Sequence, residues 1–244
     1  PVLENNRLVG LVTSRDVKLS HPNRLVADAM SRKVITISSS CSLWEAKQLL
    51  AQYQIEHLLI FEKDFPVGVV TKAQLYVELG KHIDGLTGLP KADFLKYKAL
   101  ELLKAGKEIC IIFFDLDNFG MINKELGHIK GDEVLVEVAR IMINQVDAET
   151  DYLCRYAGDE FAIVSTKLLE EAKQLANRIL TALGKNNWPY GIGVTASGGI
   201  AGGQRGACRN DELNKVINNL INLASLASTK AKNASGSLII EKVV

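Results

Sequence analysis

Apolar and polar positions follow two different patterns along the chain, and the change comes near residue 80. In the first part, short apolar strands alternate with helical stretches, and one unit occurs twice, at 8–16 and at 66–74. Each copy has an apolar strand broken by glycine and then a threonine that can cap the following helix. A helix and an apolar strand at 57–61 lie between the copies. This self-similarity indicates a duplicated module, and a helix at 75–82 is predicted to run on toward the second half.

The pattern from residue 84 onward predicts a larger domain. A turn-rich stretch at 84–90 precedes a helix at about 92–105 and an apolar strand at 109–115. Strands that alternate with helices imply a central sheet covered by helices, and one close strand pair would make that sheet mixed. We therefore predict an α/β protein (an α+β mixed sheet) with domains at 1–80 and 81–244. The further elements expected are a helical region broken near Gly127-His128, a helix at 134–142, strands flanking Ala157-Gly158, a helix at 168–183, a strand at 194–200, a helix at 211–230 and a strand at 238–240.

Composition and charge exclude several classes of function. Apolar residues make up 47% of the chain and charged residues 23%, which is ordinary for a soluble globular protein. The net charge is only +1, without a dense Lys/Arg tract, so we expect no nucleic-acid partner and no membrane surface. The longest strongly apolar run, 109–114, is too short to span a bilayer, and no signal peptide is visible. We expect a cytoplasmic protein whose widely spaced cysteines are reduced and mostly buried (Cys41, Cys110, Cys154 and Cys208).

Acidic residues stand at two places where carboxylates are unusual. Asp115 and Asp117 end the apolar strand, and buried charge is costly unless it is paired or binds a metal. Asp159 and Glu160 lie at the tip of a predicted β-hairpin and repel each other unless a cation is near. If the hairpin packs beside the strand, Asp115 and Asp159 can meet and suit Mg²⁺ together with substrate phosphates. The alternative is a solvated acidic turn and an ordinary aspartate at a strand end.

Five motifs in a fixed order carry a family resemblance. The motifs are Asp-x-Leu-Thr-Gly-Leu-Pro at 84–90, Phe-Asp-Leu-Asp-x-Phe at 114–119, Asn-x-x-x-Gly-His-x-x-Gly-Asp at 123–132, Arg-Tyr-Ala-Gly-Asp-Glu-Phe at 155–161 and Ser-x-Gly-Ile-Ala at 197–201. Residues 84–244 are similar to the diguanylate cyclase domain named GGDEF. The resemblance implies a palm-like nucleotidyl-cyclase sheet covered by helices. It also implies that a symmetric homodimer joins two GTP molecules into cyclic di-GMP.

The resemblance assigns metal and catalytic roles to the strand end and the hairpin. Asp115, the carbonyl of Leu116, and Asp159 would bind Mg²⁺ (or Mn²⁺). Glu160 would stand next to the metals and the attacking 3′-hydroxyl. Gly158, without a Cβ, would let the hairpin backbone approach the phosphates.

Substrate roles come from the same resemblance. Asn123 and Asp132 would contact the guanine edge, and an aspartate can accept hydrogen bonds from the N1–H and 2-amino groups that adenine does not supply in that arrangement. Phe119 would belong to the substrate site. Lys232, near the end of the last long helix, would contact the phosphates.

The chain departs from the family pattern at three places in the substrate site. Ala157 replaces the first glycine of the hairpin motif, and Gly120 stands where the family usually has a phosphate-binding lysine. The stretch 235–237, centred on Gly236, replaces Gly-Arg-Asn and lacks its arginine. Each lost cation would cost about ten- to a hundredfold in affinity or rate. Lys124 is one helical turn after Gly120 and supplies the missing charge in one hypothesis; in the alternative it is an exposed, solvated lysine.

The inhibitory product site of the family is incomplete in this sequence. That site needs Arg-x-x-Asp before the hairpin, and here Ala148 stands where the arginine would be, although Asp151 is present. The bidentate fork of arginine is hard to replace in guanine recognition. We therefore expect no product inhibition through this site.

The first domain resembles the cystathionine β-synthase (CBS) domain pair. Residues 34–80 resemble one whole module, and 1–19 resemble only the back half of the preceding one. In that family, Gly-x-x-Thr-x-x-Asp contributes to an adenine-nucleotide pocket, which assigns Thr13, Asp16 and Thr71 to such a ligand. The alternative is that both threonines are only helix caps.

Three functions follow from these resemblances. The first is a diguanylate cyclase that is regulated by nucleotide binding to the CBS pair. The second is a catalytically silent GTP-binding domain that passes a signal to a partner, which the changes at Gly120 and Gly236 favour. The third is a sensor whose main ligand is the adenine nucleotide.

Overall fold

The computed structural model describes residues 1–5, 7–63, 65–204, 210–234 and 237–242. The chain folds into two compact units, Pro1–Lys81 and His82–Val244. Each unit has its own sheets and its own apolar core.

The N-terminal unit contains a two-stranded and a three-stranded sheet. Its elements are β1 (Val2–Glu4), β2 (Arg7–Gly10), α1 (Ser14–Leu19), α2 (Val26–Ala29), β3 (Thr36–Ser38), α3 (Leu43–Tyr53), β4 (His57–Glu62), β5 (Phe65–Thr71) and α4 (Lys72–Gly80). β1 pairs with β2, whereas β4 lies between a parallel neighbour, β3, and an antiparallel one, β5. The core forms because α3 and α4 bury their apolar faces against β4, through Leu50, Leu58 and Leu75.

The two repeated threonines begin helices in the same way. Thr13 precedes α1 and Thr71 precedes α4, and each side chain accepts a hydrogen bond from the backbone N–H three residues on. Asp16 and Gln74 each accept a hydrogen bond from the threonine backbone in return, which completes a capping box in both copies. α4 ends at Gly80, so the predicted helix at 75–82 is wrong at its C-terminal end. Gly80 has low helix propensity, and Ile83 already pairs with Pro90.

The C-terminal unit is built on one five-stranded sheet of order β10-β9-β6-β8-β7. Its elements are α5 (Ala92–Lys104), β6 (Ile109–Leu116), α6 (Phe119–Leu126), α7 (His128–Ile143), β7 (Asp151–Ala157), β8 (Glu160–Ser165), α8 (Leu169–Lys185), β9 (Ala196–Gln204), α9 (Asn210–Asn233) and β10 (Leu238–Lys242). Only β9 and β10 run parallel, so the predicted mixed sheet is confirmed. β9 begins at Ala196, two residues later than expected.

Strand β6 is buried on both of its faces. Successive residues belong to opposite cores: Phe114 faces the core formed with α7 and α8, while Phe113 faces the core formed with α5 and α9. A central strand covered by helices on both sides needs an unbroken apolar run, which explains residues 109–114. Polar side chains can begin only where this strand leaves the core, at Asp115. Cys110 and Cys154 are buried and Cys41 is half-buried, whereas Cys208 lies outside the described residues.

Candidate active site

The end of β6 meets the hairpin formed by β7 and β8. Asp115 is paired in register with Glu160 across the two antiparallel strands. The backbone N–H of Leu116 donates to the Asp159 carbonyl over 3.3 Å. The strand end and the hairpin tip, defined here as Gly158, Asp159 and Glu160, therefore lie side by side. The three acidic residues, which were predicted from two motifs, therefore come to one place.

A lysine from the far end of the unit binds the strand end. The Nζ atom of Lys232, in the last turn of α9, lies 2.6 Å from Asp115 Oδ1 and 2.9 Å from the Leu116 carbonyl oxygen. These are two of the three groups predicted to bind a metal. The position between them thus attracts a cation, here the ammonium group of Lys232.

The two carboxylates of the hairpin tip resist ionisation. Partial burial raises the pKa of Asp159, and the Asp115 carboxylate raises it further. A hydrogen bond from the backbone N–H of Asp159 itself, and the charges of Lys232 and Arg155, oppose the shift without reversing it. Burial also raises the pKa of Glu160, and Asp115 and Asp159 add to this effect. A cation placed among these groups would relieve the repulsion between them.

The donor atoms fit a hard divalent cation. Two aspartates and a backbone carbonyl supply only oxygen, which Mg²⁺ prefers, and Mg²⁺ usually completes its shell with water and substrate phosphates. Among the described residues, no three or more acidic, histidine or cysteine side chains come close enough to bind a metal unaided.

Asp117, the other acid at the strand end, already has partners within the protein. It accepts hydrogen bonds from the hydroxyls of Thr195, at 2.6 Å, and Ser197, at 2.8 Å. Its backbone N–H donates to the Thr195 carbonyl. Asp117 therefore ties β6 to the start of β9 and leaves Asp115 as the carboxylate that faces the hairpin tip. Together with Lys232, Asp117 and its two partners line a cavity of about 400 Å³.

Arg155 holds the hairpin tip, a role that was not predicted from the sequence. Its Nε atom donates to the Gly158 carbonyl over 2.8 Å, and its Nη1 atom lies 2.9 Å from Asp84 Oδ1. The same Asp84 oxygen accepts hydrogen bonds from Thr87. Gly158 has a φ of +49°, a conformation that glycine adopts easily. Arg155 and Asp84 both stand in the family motifs, which is the signal that could have assigned them a role.

The predicted guanine-binding residues lie on two consecutive helices. Asn123 and the buried Phe119 belong to α6, and the exposed Asp132 belongs to α7. A Cβ atom on Gly131 would lie 1.8 Å from the Asn123 Oδ1 atom and 3.4 Å from the Phe119 ring. Gly131 therefore lets the amide of Asn123 pack against α7 directly beside Asp132. No role for Gly131 was predicted from the sequence, although it lies in the quoted motif.

The departures from the family pattern that the structure describes fall on exposed positions. Gly120 and Lys124 are both exposed on α6, with Lys124 in its last turn. Gly236 lies outside the described residues. Asp151 is buried at the start of β7 and binds Lys167 and Ser165, so its carboxylate is already neutralised within the protein.

In the N-terminal unit, two of the three residues predicted to bind adenine nucleotide line one cavity. The cavity measures about 390 Å³, and Thr13, Asp16, Lys33 and His57 are among its lining residues. Thr71 is absent from the described residues that line it. Because Thr13 and Asp16 also bond to each other in the capping box, helix capping is part of the role of both residues.

Comparison with known families agrees with this site. The profile of the diguanylate cyclase GGDEF domain matches residues 81–237. The chain belongs to the GGDEF family of diguanylate cyclases. A CBS domain profile matches residues 26–80, so both family resemblances are confirmed. Within the described part of this GGDEF protein, no helix is both long and apolar enough to cross a membrane.

Several curated proteins are similar to parts of the chain. Diguanylate cyclase TpbB of Pseudomonas aeruginosa is 34% identical over 108 residues, or 42% of this chain and 25% of that protein. Diguanylate cyclase DosC of Shigella sonnei is 34% identical over 120 residues, 46% and 26% of the two chains. The uncharacterized protein y4lL of Sinorhizobium fredii is 28% identical over 203 residues, which are 81% of this chain and 21% of that protein. The chain thus spans about a fifth to a quarter of the length of these relatives.

Solved structures share the fold. SiaD, a diguanylate cyclase of Pseudomonas aeruginosa solved with its activator SiaC, has a TM-score of 0.59 at 23% identity, over 82% of this chain and 72% of that one. The GGDEF domain of PA1120 (YfiN or TpbB) from the same organism has a TM-score of 0.55 at 26% identity, and the match covers 65% of this chain and 99% of that one. The predicted mixed α/β fold with a GGDEF domain is therefore confirmed.

Proposed function

We propose that the C-terminal unit joins two GTP molecules into cyclic di-GMP. The observation that carries this proposal is the meeting of Asp115, the Leu116 carbonyl and Asp159 at the end of β6, around a position that attracts a cation. In the first step, the 3′-hydroxyl of one GTP attacks the α-phosphorus of the other; a new O–P bond forms, the bond from the α-phosphorus to the bridging oxygen breaks, pyrophosphate leaves, and the hydroxyl proton passes to solvent. The second step repeats this chemistry within the joined dinucleotide and closes the ring. Each protomer of a homodimer would bind one GTP.

Two of the oxygen atoms that would hold the metal, Asp115 Oδ1 and the Leu116 carbonyl oxygen, already share one cation, the ammonium group of Lys232. Asp115, the Leu116 carbonyl and Asp159 would bind Mg²⁺ (or Mn²⁺), which when bound supplies a Lewis acid that polarises the phosphoryl group. Glu160, in register with Asp115, would face the attacking 3′-hydroxyl. Gly158 would present the hairpin backbone to the phosphates.

Base recognition would come from α6 and α7. Asn123 and Asp132 would bind the guanine edge, with the Asn123 amide held in place over Gly131. Phe119 packs beside that amide and would form the floor of the base site. This arrangement favours GTP over ATP, since the Asp132 carboxylate needs donors that guanine has and adenine lacks.

Regulation would come from an adenine nucleotide bound to the N-terminal unit. The cavity beside Thr13 and Asp16 has a lysine, Lys33, that could neutralise a phosphate. Isothermal titration of the chain with AMP and with ATP tests this, using Lys33→Met as the matched variant. Heat of binding that disappears in the variant supports the proposal, and absence of binding to the unchanged chain contradicts it.

A second function, a silent GTP-binding domain, is favoured by one observation. Gly120 supplies no cation where the family has a lysine, and the cation bound to the predicted metal ligands is Lys232. Lys124, on the same helix as Gly120, is our proposed replacement. Lys124→Ala should weaken GTP binding about tenfold; unchanged affinity and turnover would show that Lys124 is only a solvated surface residue.

Incubation of the full chain with GTP and Mg²⁺, followed by chromatography of the products, separates the two functions. Cyclic di-GMP that is absent with the Asp159→Asn variant supports the cyclase. GTP binding without any product, in the same preparation, supports the silent domain. Failure to bind GTP at all contradicts both.

A further inference from the structure

Lys232 is bound to the two atoms that are proposed to receive the metal. Its side chain is about one-third exposed, and its ammonium group donates to both Asp115 Oδ1 and the Leu116 carbonyl oxygen. The distance of 2.6 Å is just below the range of about 2.7–2.9 Å that is usual for a charge-assisted hydrogen bond from nitrogen to a carboxylate. The contact joins residues 117 positions apart, so it depends on the folded unit and not on local sequence.

An ammonium group and a metal ion compete for these oxygens. Mg²⁺ binds oxygen at about 2.1 Å, and the ammonium hydrogens point at the same lone pairs. Two cations within a few ångströms also repel each other strongly in a partly buried site. A metal can therefore bind Asp115 Oδ1 and the Leu116 carbonyl oxygen at the position of the ammonium group only after the Lys232 side chain has moved away.

The triphosphate of a nucleotide offers the displaced ammonium group a new partner. We propose that Lys232 closes the metal site while no nucleotide is bound, and that a nucleotide opens it by drawing the ammonium onto its phosphates. This inference rests on the proposed function, because it takes the end of β6 as the metal–nucleotide site. Lys232 then has two alternative positions, one on the metal ligands and one on the substrate.

This exchange couples metal binding to nucleotide binding. A metal ion that binds alone must break the ion pair between Lys232 and Asp115, and the displaced ammonium group gains no new partner. When a nucleotide binds together with the metal, the displaced ammonium group gains contacts with its phosphates. Each ligand therefore increases the affinity for the other.

The test is the affinity for Mn²⁺ alone, measured from the electron paramagnetic resonance signal of the free ion. Lys232→Met should raise the affinity of the nucleotide-free chain for Mn²⁺ about tenfold or more. Lys232→Arg, which keeps the charge, should leave it low. Lys230→Met is the matched control, because Lys230 lies in the same last turn of α9 but pairs with Glu241 at 2.7 Å.

A second measurement should change in the opposite direction. With saturating Mn²⁺, Lys232→Met should weaken GTP binding about tenfold, since the phosphate contact is lost. Adding Asp115→Asn to Lys232→Met should abolish the gained Mn²⁺ affinity, which assigns the ion to this site. Urea unfolding of each variant shows that the fold is retained.

Several outcomes would overturn the inference. Mn²⁺ affinity that is unchanged in Lys232→Met, that rises equally in Lys230→Met, or that persists with Asp115→Asn would show that Lys232 does not close this site. Because the Mn²⁺ measurement needs no nucleotide, it remains decisive if GTP is not turned over. Loss of the proposed cyclase function and loss of this inference are therefore separate results.

Discussion

The acidic residues at the two ends of the hairpin formed by β7 and β8 have opposite environments. At the hairpin base, defined here as Asp151, Ser165 and Lys167, the Asp151 side chain is only 1% exposed and every partner it needs is supplied by the chain. It accepts hydrogen bonds from Ser165 Oγ and Lys167 Nζ, both at 2.6 Å, and from the backbone N–H of Asp147. The charge is neutralised within the fold, as buried charges generally are.

The hairpin tip has the same kind of residue with fewer partners: the Asp159 carboxylate accepts a hydrogen bond from its own backbone N–H. In the part of the chain that the structure describes, no side chain donates a hydrogen bond to the Asp159 or Glu160 carboxylate, and burial raises the pKa of both. The cation nearby, Lys232, is bonded to Asp115 instead. A carboxylate that the fold fully satisfies is structural, whereas one that the fold leaves unsatisfied is available to a ligand. The comparison predicts that the base serves stability and that the tip serves the proposed chemistry.

The sharpest test of this assignment is Asp159→Asn. Loss of a metal ligand should lower cyclic di-GMP production at least about 100-fold, because even outer-shell partners of a metal are worth about 10- to 100-fold. The urea midpoint should stay the same or increase, since the tip carboxylate is not stabilised by the fold. Product formed at a comparable rate by the variant, measured by chromatography, would remove Asp159 from the site.

Lys167→Met makes the converse change at the hairpin base. Removing the cation leaves Asp151 buried and unpaired, which should lower the free energy of unfolding by about 3 kcal/mol, as measured by urea titration. Lys173→Met is the control: Lys173 is exposed and 4.0 Å from Glu170, so its loss should change stability by less than about 0.5 kcal/mol. Equal effects of the two variants would mean that the base is no more structural than the surface.

Arg155→Lys tests whether the hairpin tip needs the hydrogen bonds of Arg155 to keep its position. Arginine reaches the Gly158 carbonyl and Asp84 together through two nitrogens of its fork, and a single ammonium group cannot reproduce this geometry. We expect kcat to fall about tenfold through misplacement of the tip, with a smaller effect on KM. Arg140→Lys, which alters an exposed pair on α7, serves as the control. An unchanged kcat in Arg155→Lys would show that the tip keeps its position unaided.

The elements that could be predicted are those with a strong local pattern. The run at 109–114 is continuously apolar because β6 is buried on both faces. Both the strand and the acidic residues at its end could therefore be predicted. The hairpin could be located from the turn at Ala157-Gly158 between two strands. The α4 helix was predicted to extend too far, because its apolar spacing continues beyond the glycine that ends it.

The partners of the acidic residues could not be predicted, because they come from distant parts of the chain. Asp115 and Asp117 look alike in sequence, and only the hydroxyls of Thr195 and Ser197, about 80 residues further on, distinguish them. Lys232 was predicted to contact phosphates, but nothing local indicates that it binds Asp115 instead. The family resemblance was enough to predict which residues belong to the site. The hydrogen bonds and ion pairs between those residues could be found only in the folded structure.

The smallest expected effect is on the pH dependence of stability, and it follows from the direction of each pKa shift. The raised pKa values of Asp159 and Glu160 mean that the folded chain holds these protons more tightly than the unfolded chain. The contribution of these two groups to the free energy of unfolding is therefore largest below their ordinary pKa values, 3.8 for Asp159 and 4.5 for Glu160. It falls as the pH rises from those values through the raised pKa values of the folded chain. The variant with both Asp159→Asn and Glu160→Gln should therefore gain stability relative to the unchanged chain as the pH rises above about 4.

Asp84 provides the opposite case within the same site. Burial raises its pKa, but hydrogen bonds from Thr87 and Arg155 outweigh burial and lower the pKa overall. Its contribution is present above the ordinary value of 3.8 and is lost as the pH falls through the lowered one. Asp84→Asn should therefore be less stable than the unchanged chain at about pH 7, and the difference should shrink below about pH 4. Urea midpoints measured in EDTA across this range check both signs, and parallel curves for the two variants would contradict the distinction between satisfied and unsatisfied carboxylates.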